Sequence, residues 1–233
     1  MKIDIVTLFP EMFQGPFQNS IIKRAIDKNI VEISIHNLRN WGLGTYKKVD
    51  DTPYSGGGGM LIMLEPVYKC LKAIKSTQAN SEPTYVVAMT AKGNTLKQSK
   101  VKSLKSKKHL IILAGHYEGF DQRILDHLVD EQISIGDYVL TGGEIPAMVL
   151  TDTVIRLLPE VVGNQDTPKT DSFYQDDETI QYPQYTKPEE FKTEDNQIWR
   201  VPEILLSGNH ERINNWKAKE AKKRTDLKNS KQK

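Results

Sequence analysis

The sequence predicts an α/β fold: a mostly parallel sheet with helices on both faces, followed by a small helical C-terminal domain. Three observations predict it. Short β-branched or apolar runs alternate with helix-length stretches, the pattern of βαβ units. The run at residues 110–114 is apolar without interruption, as a strand covered on both faces must be. Three glycine-bearing segments follow strand-like runs in the second half of the sheet region, where open α/β sheets form their ligand crevice.

Residues 2–8 alternate and are β-branched, which predicts a strand. Residues 17–27 carry Phe17, Ile21, Ile22, Ala25 and Ile26 at helical spacing, and a second strand follows at 31–36. After a long loop over 37–59 come a helix at 66–74, a strand at 85–89, a lysine-covered helix at 95–106 and the apolar strand at 110–114. A helix at 120–129, a short strand at 132–135 and a strongly apolar helix at 144–158, ended by Pro159, complete the domain. From residue 160 to about 193 prolines and acids accumulate without periodicity, as in a linker or lid. From 201 onward the sequence predicts short helices carrying Leu205, Leu206, Ile213 and Trp216, frayed after Lys228. The partition is a domain over 1–160, a flexible linker or lid over 161–176, and a basic helical domain over 177–233.

A chain of 233 residues with 38% hydrophobic and 27% charged content has room for a large domain, or a medium one plus a small one. Its apolar runs are too short to span a bilayer and residues 1–10 lack a signal pattern, so a cytoplasmic protein is expected. Cys70 is the single cysteine, which excludes intrachain disulfides, thiolate zinc sites and iron–sulfur clusters. The five histidines are scattered, and His116-x-Glu118 lacks the Pro-Cys-x-x-Cys of a zinc deaminase, so no metal site is predicted from the residues. A net charge of +2 hides an asymmetry: residues 160–198 carry ten acids against three bases, −7, and residues 199–233 carry ten bases against four acids, +6. Such a basic tail is either a solvated lysine-rich helix or a nucleic-acid contact.

The glycine segments are neither of the common phosphate cradles. No G-x-G-x-x-G follows the first strand, which ends in Phe9-Pro10, and Gly56 to Gly59 precede Met60 and Leu61 rather than Lys-Ser or Lys-Thr. The three segments instead comprise residues 89–93, 114–119 and 135–144. Glycine lets main-chain N–H and C=O groups approach a planar ligand, so a small flat ligand held by backbone is the inference.

At this point the chain resembles the bacterial tRNA guanine-N1 methyltransferases of the knotted SPOUT class. Asp50-Asp51-x-Pro53-Tyr54-x-Gly56-Gly57-x-Gly59-Met60 looks like the family's early glycine loop, Gly115-x-Tyr117-Glu118-Gly119-x-Asp121-x-Arg123 like its middle one, and Ile135-Gly136-Asp137-Tyr138-Val139-Leu140 like its cofactor loop. Asp171-Ser172-Phe173 and Leu205-Leu206-Ser207-Gly208-Asn209-His210 match further on, in the same order. The resemblance implies a deep trefoil knot holding S-adenosylmethionine, a homodimer whose active sites are shared between subunits, and a tRNA substrate methylated on the guanosine immediately 3′ of the anticodon, guanosine-37. It implies Mg2+ as well, which no carboxylate cluster announces. Cofactor contacts implied are Thr90, Gly115, Ile135, Gly136, Asp137, Tyr138, Val139, Leu140 and Gly143.

Methylating guanine N1 requires removal of the N1 proton, for which an ionised carboxylate of ordinary pKa, about 4, suffices once it is in reach. Negative charge then gathers on O6, where a fixed guanidinium is worth most in the transition state. The resemblance gives these roles to Asp171 and Arg156. Read without it, Arg156 complements a helix dipole and Asp171 is a cap or turn residue. Glu118 and Gly59 are candidate substrate contacts, although Glu118 and Asp137 equally suit local backbone hydrogen bonds. Ser207, Asn209 and His210 are RNA-facing groups or a cap and turn, and Lys217, Lys219, Lys222, Lys223 and Arg224 supply phosphate contacts. The chain departs from the family pattern at Gly58, at residues 89–93, at His116, where the family has Arg, and at Thr170. Rival readings are a knotted methyltransferase for another base or for ribose, a non-catalytic RNA-binding protein, and a small-molecule nucleotide binder.

Overall fold

The computed structural model describes residues 1–54, 56–77, 83–163 and 167–231. Residues 164–166, within the span expected to be linker, and 232–233, in the tail, lie outside the described residues. Strands are β1 (Lys2–Thr7), β2 (Glu32–Asn37), β3 (Asp50–Asp51), β4 (Leu61–Ile62), β5 (Thr84–Thr95), β6 (His109–Ala114), β7 (Glu131–Ser134), β8 (Glu190–Lys192) and β9 (Ile198–Arg200). Helices are α1 (Gln14–Phe17), α2 (Ser20–Asp27), α3 (Leu64–Ser76), α4 (Gln98–Lys105), α5 (Gln122–His127), α6 (Glu144–Arg156), α7 (Glu203–Leu206) and α8 (His210–Lys231), with short 3-10 turns at Pro10–Phe13, Leu38–Trp41 and Thr167–Thr170. Contacts divide the chain into two units, Met1–Gln165 and Asp166–Lys233.

In the first unit five strands pair in parallel in the order β2-β1-β6-β5-β7. The apolar run is central strand β6, and all six of its residues are buried. Because side chains alternate across a strand, Val6, Val86, Ala88, Ile111 and Leu113 join one core with Val67, Cys70, Leu71 and Ile74 of α3. On α6, Ala147, Leu150, Thr151, Val154 and Ile155 form a buried stripe at helical spacing, and this helix packs against β1, β6, α2 and α4. Each fully buried Ile or Leu contributes about 1.5–3 kcal/mol of transfer free energy. Cys70 is among them, and burial pushes its thiol up to about 12, so it is an inert core residue.

One buried polar cluster interrupts this core. Asp4, in β1, pairs through its two carboxylate oxygens with His36 Nε2 and His109 Nε2 at 2.5 Å each. Burial opposes its charge, but the hydrogen bonds from His109 and His36, with the charges of His36 and Lys2, hold its carboxyl well below the usual carboxylate range.

Two elements differ from expectation. The helix expected over 17–27 is split, because Ser20 takes φ +55 at the start of α2. The strand expected at 85–89 continues to Thr95 through an excursion: Met89 and Asn94 both register with Ile133, so residues 90–93 bulge out between them. Gly93 makes this possible, since a Cβ there would stand 2.5 Å from the backbone of Gln132 and Ile133.

The second unit contains the 3-10 turn Thr167–Thr170, an antiparallel hairpin of β8 and β9, the short α7 and the long α8. Of the short helices expected from residue 201 onward, α7 carries Leu205 and Leu206, whereas Ile213 and Trp216 lie on α8, one helix of 22 residues. The hairpin pairs Phe191 with Trp199, ring centroids 6.0 Å apart, and every residue of both strands is exposed. Among the described residues no helix is long and apolar enough to cross a membrane.

Candidate active site

The bulge within β5 and the loops that follow β6 and β7 converge on one cleft of about 200 Å³. Its walls are residues 89–92 from the bulge, 115–120 after β6, 133–136 and 138–143 after β7, and Pro146 of α6. Three glycine-bearing segments far apart in sequence therefore face a common space. Of the cofactor residues expected, Thr90, Gly115, Ile135, Gly136, Tyr138, Val139, Leu140 and Gly143 line the cleft. Asp137 lies in the same loop but is not among the lining residues.

Hydrogen bonds fix the shape of each wall. Ser134 is 5% exposed and its hydroxyl donates to Gly136 O (2.8 Å) while accepting from Gly136 N (3.2 Å), which sets the turn out of β7. Tyr138 N donates to Gly136 O at 2.9 Å, and its ring occupies the position a Cβ on Gly136 would need. Gly143 N donates to Gly115 O at 2.6 Å, so the last loop is laid directly on the middle one. The approach is closed to any larger residue: a Cβ on Gly143 would stand 2.5 Å from Gly115 N and 2.9 Å from the Ala114 backbone.

A buried carboxylate braces the junction. Glu144, the first residue of α6, is 1% exposed; its Oε1 accepts from Thr7 Oγ1 at 2.7 Å and its Oε2 lies 3.2 Å from His116 Nε2. The helix N-terminus favours its negative charge, and the Phe9 ring packs on His116 at 4.9 Å. The chain thus places a histidine paired with a buried carboxylate where its wall residue differs from the family pattern. Sequence reading missed this tie and the Ser134 staple. The signal present was an acidic residue directly after Gly142-Gly143, at the head of an otherwise apolar helix.

The early glycine loop meets the middle one through Glu118 N to Met60 O (3.0 Å), Ile62 N to Gly119 O (2.9 Å) and Asp121 N to Ile62 O (3.0 Å). Gly59 takes φ +89, and a Cβ on it would meet Glu118 Cγ at 2.5 Å. Glu118 lines the cleft and Gly59 stands behind it. Arg156 is the last residue of α6, half-buried, in the first unit. Asp171 follows the 3-10 turn Thr167–Thr170 in the second unit and is also half-buried.

In the C-terminal unit Asn209 Oδ1 accepts from Arg212 N at 3.0 Å, capping α8, and Ser207 Oγ donates to Ile204 O at 2.7 Å. Both side chains thus act as the cap and turn that their residue types allow, with His210 exposed at the helix start. Lys217 is half-buried with its ammonium 4.8 Å from the Tyr182 ring centroid, whereas Arg224 is exposed. Among the described residues no group of three His, Cys, Asp or Glu converges as a metal site.

A parallel sheet with a cleft lined by glycine-bearing segments at its carboxyl edge defines an α/β protein of the class that places its ligand crevice there. The family profile described as tRNA (Guanine-1)-methyltransferase TrmD matches residues 1–231. Proteins named tRNA (guanine-N(1)-)-methyltransferase are similar over almost the whole length: that of Dehalococcoides mccartyi is 47% identical over 97% of this chain and 87% of its own, and that of Dictyoglomus turgidum is 47% identical over 98% and 88%. A third, from Christiangramia forsetii, is 46% identical over 97% of this chain and 95% of its own. This chain belongs to the tRNA (guanine-N1)-methyltransferase family, an α/β methyltransferase family of the SPOUT knotted fold.

Proposed function

We propose that this protein transfers the methyl group of S-adenosylmethionine to N1 of the guanosine immediately 3′ of the tRNA anticodon, with Asp171 as general base and Arg156 stabilising charge on O6. The observation that carries the reading is the cleft in which Gly115, Gly136 and Gly143 bring main chain to the surface between apolar walls at Val139, Leu140 and Pro146. The crossing of Gly143 over Gly115, too close for any Cβ, suits a site that grips an adenosine by its edges and suits the threaded knot of the family. When bound, that cofactor supplies a methyl group on a positively charged sulfur.

The chain's own residues supply the rest. Asp171 accepts the proton of N1 as the nitrogen attacks, and the Arg156 guanidinium donates to O6 as charge develops there. Asp171 belongs to the C-terminal unit and Arg156 to the first. The exposed cations Lys219, Lys222, Lys223 and Arg224 on α8 offer phosphate contacts that position tRNA without reading its sequence. Met12, Ile145 and Val149 are 43%, 49% and 37% exposed along the Pro10–Phe13 turn and α6, an apolar strip that suits burial against a second copy. A tRNA substrate places the work in the cytoplasm.

The test is incubation of labelled S-adenosylmethionine with unmodified tRNA transcripts that carry or lack the target guanosine, followed by digestion and identification of the methylated atom. Label on guanine N1 at that position alone is the expected result. Label on ribose or on another base, or equal label in both transcripts, would refute the assignment.

A further inference from the structure

The segment that carries Asp171 is fastened to α8 by one stripe of side chains. It first closes on itself: Phe173 N donates to Thr179 O at 2.7 Å, and Gln181 N to Ser172 Oγ at 2.9 Å. The closed loop is then joined to the helix, where Ile180 N donates to Thr225 Oγ1 at 3.0 Å and Lys228 Nζ stands 4.4 Å from the Phe173 ring centroid. Lys217, over Tyr182, extends the same stripe: at 100° per residue, positions 217, 225 and 228 fall within about 80° of one another. All three are half-buried, whereas Lys219, Lys222, Lys223 and Arg224 are exposed. The helix therefore divides its cations between aromatic rings on one side and solvent on the other.

Phe173 takes φ +67, a left-handed conformation that is strained for a non-glycine residue. Such a backbone persists only when neighbours hold it, and here the neighbours are the Thr179 carbonyl and the Lys228 ammonium. The turn lies two residues from Asp171, whose carbonyl accepts from Tyr174 N at 3.3 Å, so its conformation sets the direction in which the chain leaves Asp171.

We propose that Thr225 and Lys228 are positioning residues for methyl transfer: by holding the Ser172-Phe173 turn they present the Asp171 carboxylate, and Lys228 serves the base instead of a tRNA phosphate. The inference rests on the reading of Asp171 as the base.

The experiment measures kcat and the KM for a tRNA transcript, at saturating S-adenosylmethionine, for the full chain and for Lys228→Met, Phe173→Leu, their double variant, Thr225→Val, Lys228→Arg and Asp171→Asn. Lys228→Met and Phe173→Leu each lower kcat by about two- to fivefold, the worth of a partly exposed cation–π contact, and leave KM for tRNA within about twofold. The double variant is no slower than the slower single one, because both remove one contact, and Lys228→Arg restores kcat. Thr225→Val lowers kcat by about fivefold with the same unchanged KM. A phosphate contact behaves differently: Lys228→Met would raise KM and weaken its salt dependence with kcat intact, independently of Phe173, and that result overturns the proposal. Unaltered kcat and KM in Lys228→Met, Phe173→Leu and Thr225→Val overturn it as well, while an inactive Asp171→Asn leaves the base assignment standing. Near-normal turnover by Asp171→Asn removes the base reading and this inference with it.

Discussion

Thr7 Oγ1 donates a 2.7 Å hydrogen bond to Glu144 Oε1, joining the end of the first strand to the start of α6 across 137 residues of chain. The same hydroxyl accepts from Phe9 N at 3.0 Å, and the other Glu144 oxygen faces His116 in the cleft wall. A carboxylate that is 1% exposed is costly unless each oxygen has a partner. Among the described residues Oε2 accepts no hydrogen bond and only stands beside His116 Nε2, so removing the hydroxyl leaves neither oxygen with one. Thr7→Val is expected to lower unfolding free energy by about 1–3 kcal/mol in urea titration, and Thr7→Ser to keep most of it.

Acid stability depends on Asp4. Its folded pKa lies below the unfolded value of 3.8, so it contributes stability that is present above that pH and is lost as pH falls below it toward the folded value. Asp4→Asn breaks a buried pair with His109 and His36 and is expected to cost about 3–5 kcal/mol near neutral pH. Urea titrations repeated from about pH 7 down to about pH 2 should show the wild-type protein approaching the variant in stability at the acid end. A constant gap across the series would mean that Asp4 is not the group responsible.

The crossing of two glycine loops gives a contrast between two substitutions of the same kind. A methyl group on Gly143 meets the Gly115 and Ala114 backbone, which cannot rotate aside, whereas one on Gly58 meets nothing within 4 Å. Gly143→Ala is expected to weaken S-adenosylmethionine binding by about tenfold or more, measured by calorimetry, and Gly58→Ala to leave it unchanged. Equal affinities would show that the crossing does not shape the cofactor site.

The central sheet was legible because burial imposes a pattern. Residues 110–114 read as a strand covered on both faces and form β6, and residues 144–158 read as a buried helix and contain α6. The hairpin of β8 and β9 carried no such signal, since both strands are wholly exposed and no alternation marks them. α8 reads as short pieces because its apolar residues are few and its half-buried positions mix Ile213, Trp216 and Ala221 with Lys217, Glu220, Thr225 and Lys228. At the site, the loops reveal themselves through glycine, which has a local meaning in sequence. The tie from Thr7 through Glu144 to His116 does not, because its partners are chosen by the packing of β1 under α6.

A single-turnover comparison of wild type with Asp171→Asn tests most directly the proposal that the Asp171 carboxylate removes the N1 proton. With S-adenosylmethionine and tRNA both saturating, the account predicts that the variant binds both ligands with wild-type affinity and loses methyl transfer by about a hundredfold or more. Near-wild-type transfer by the variant, with its binding unchanged, would contradict it.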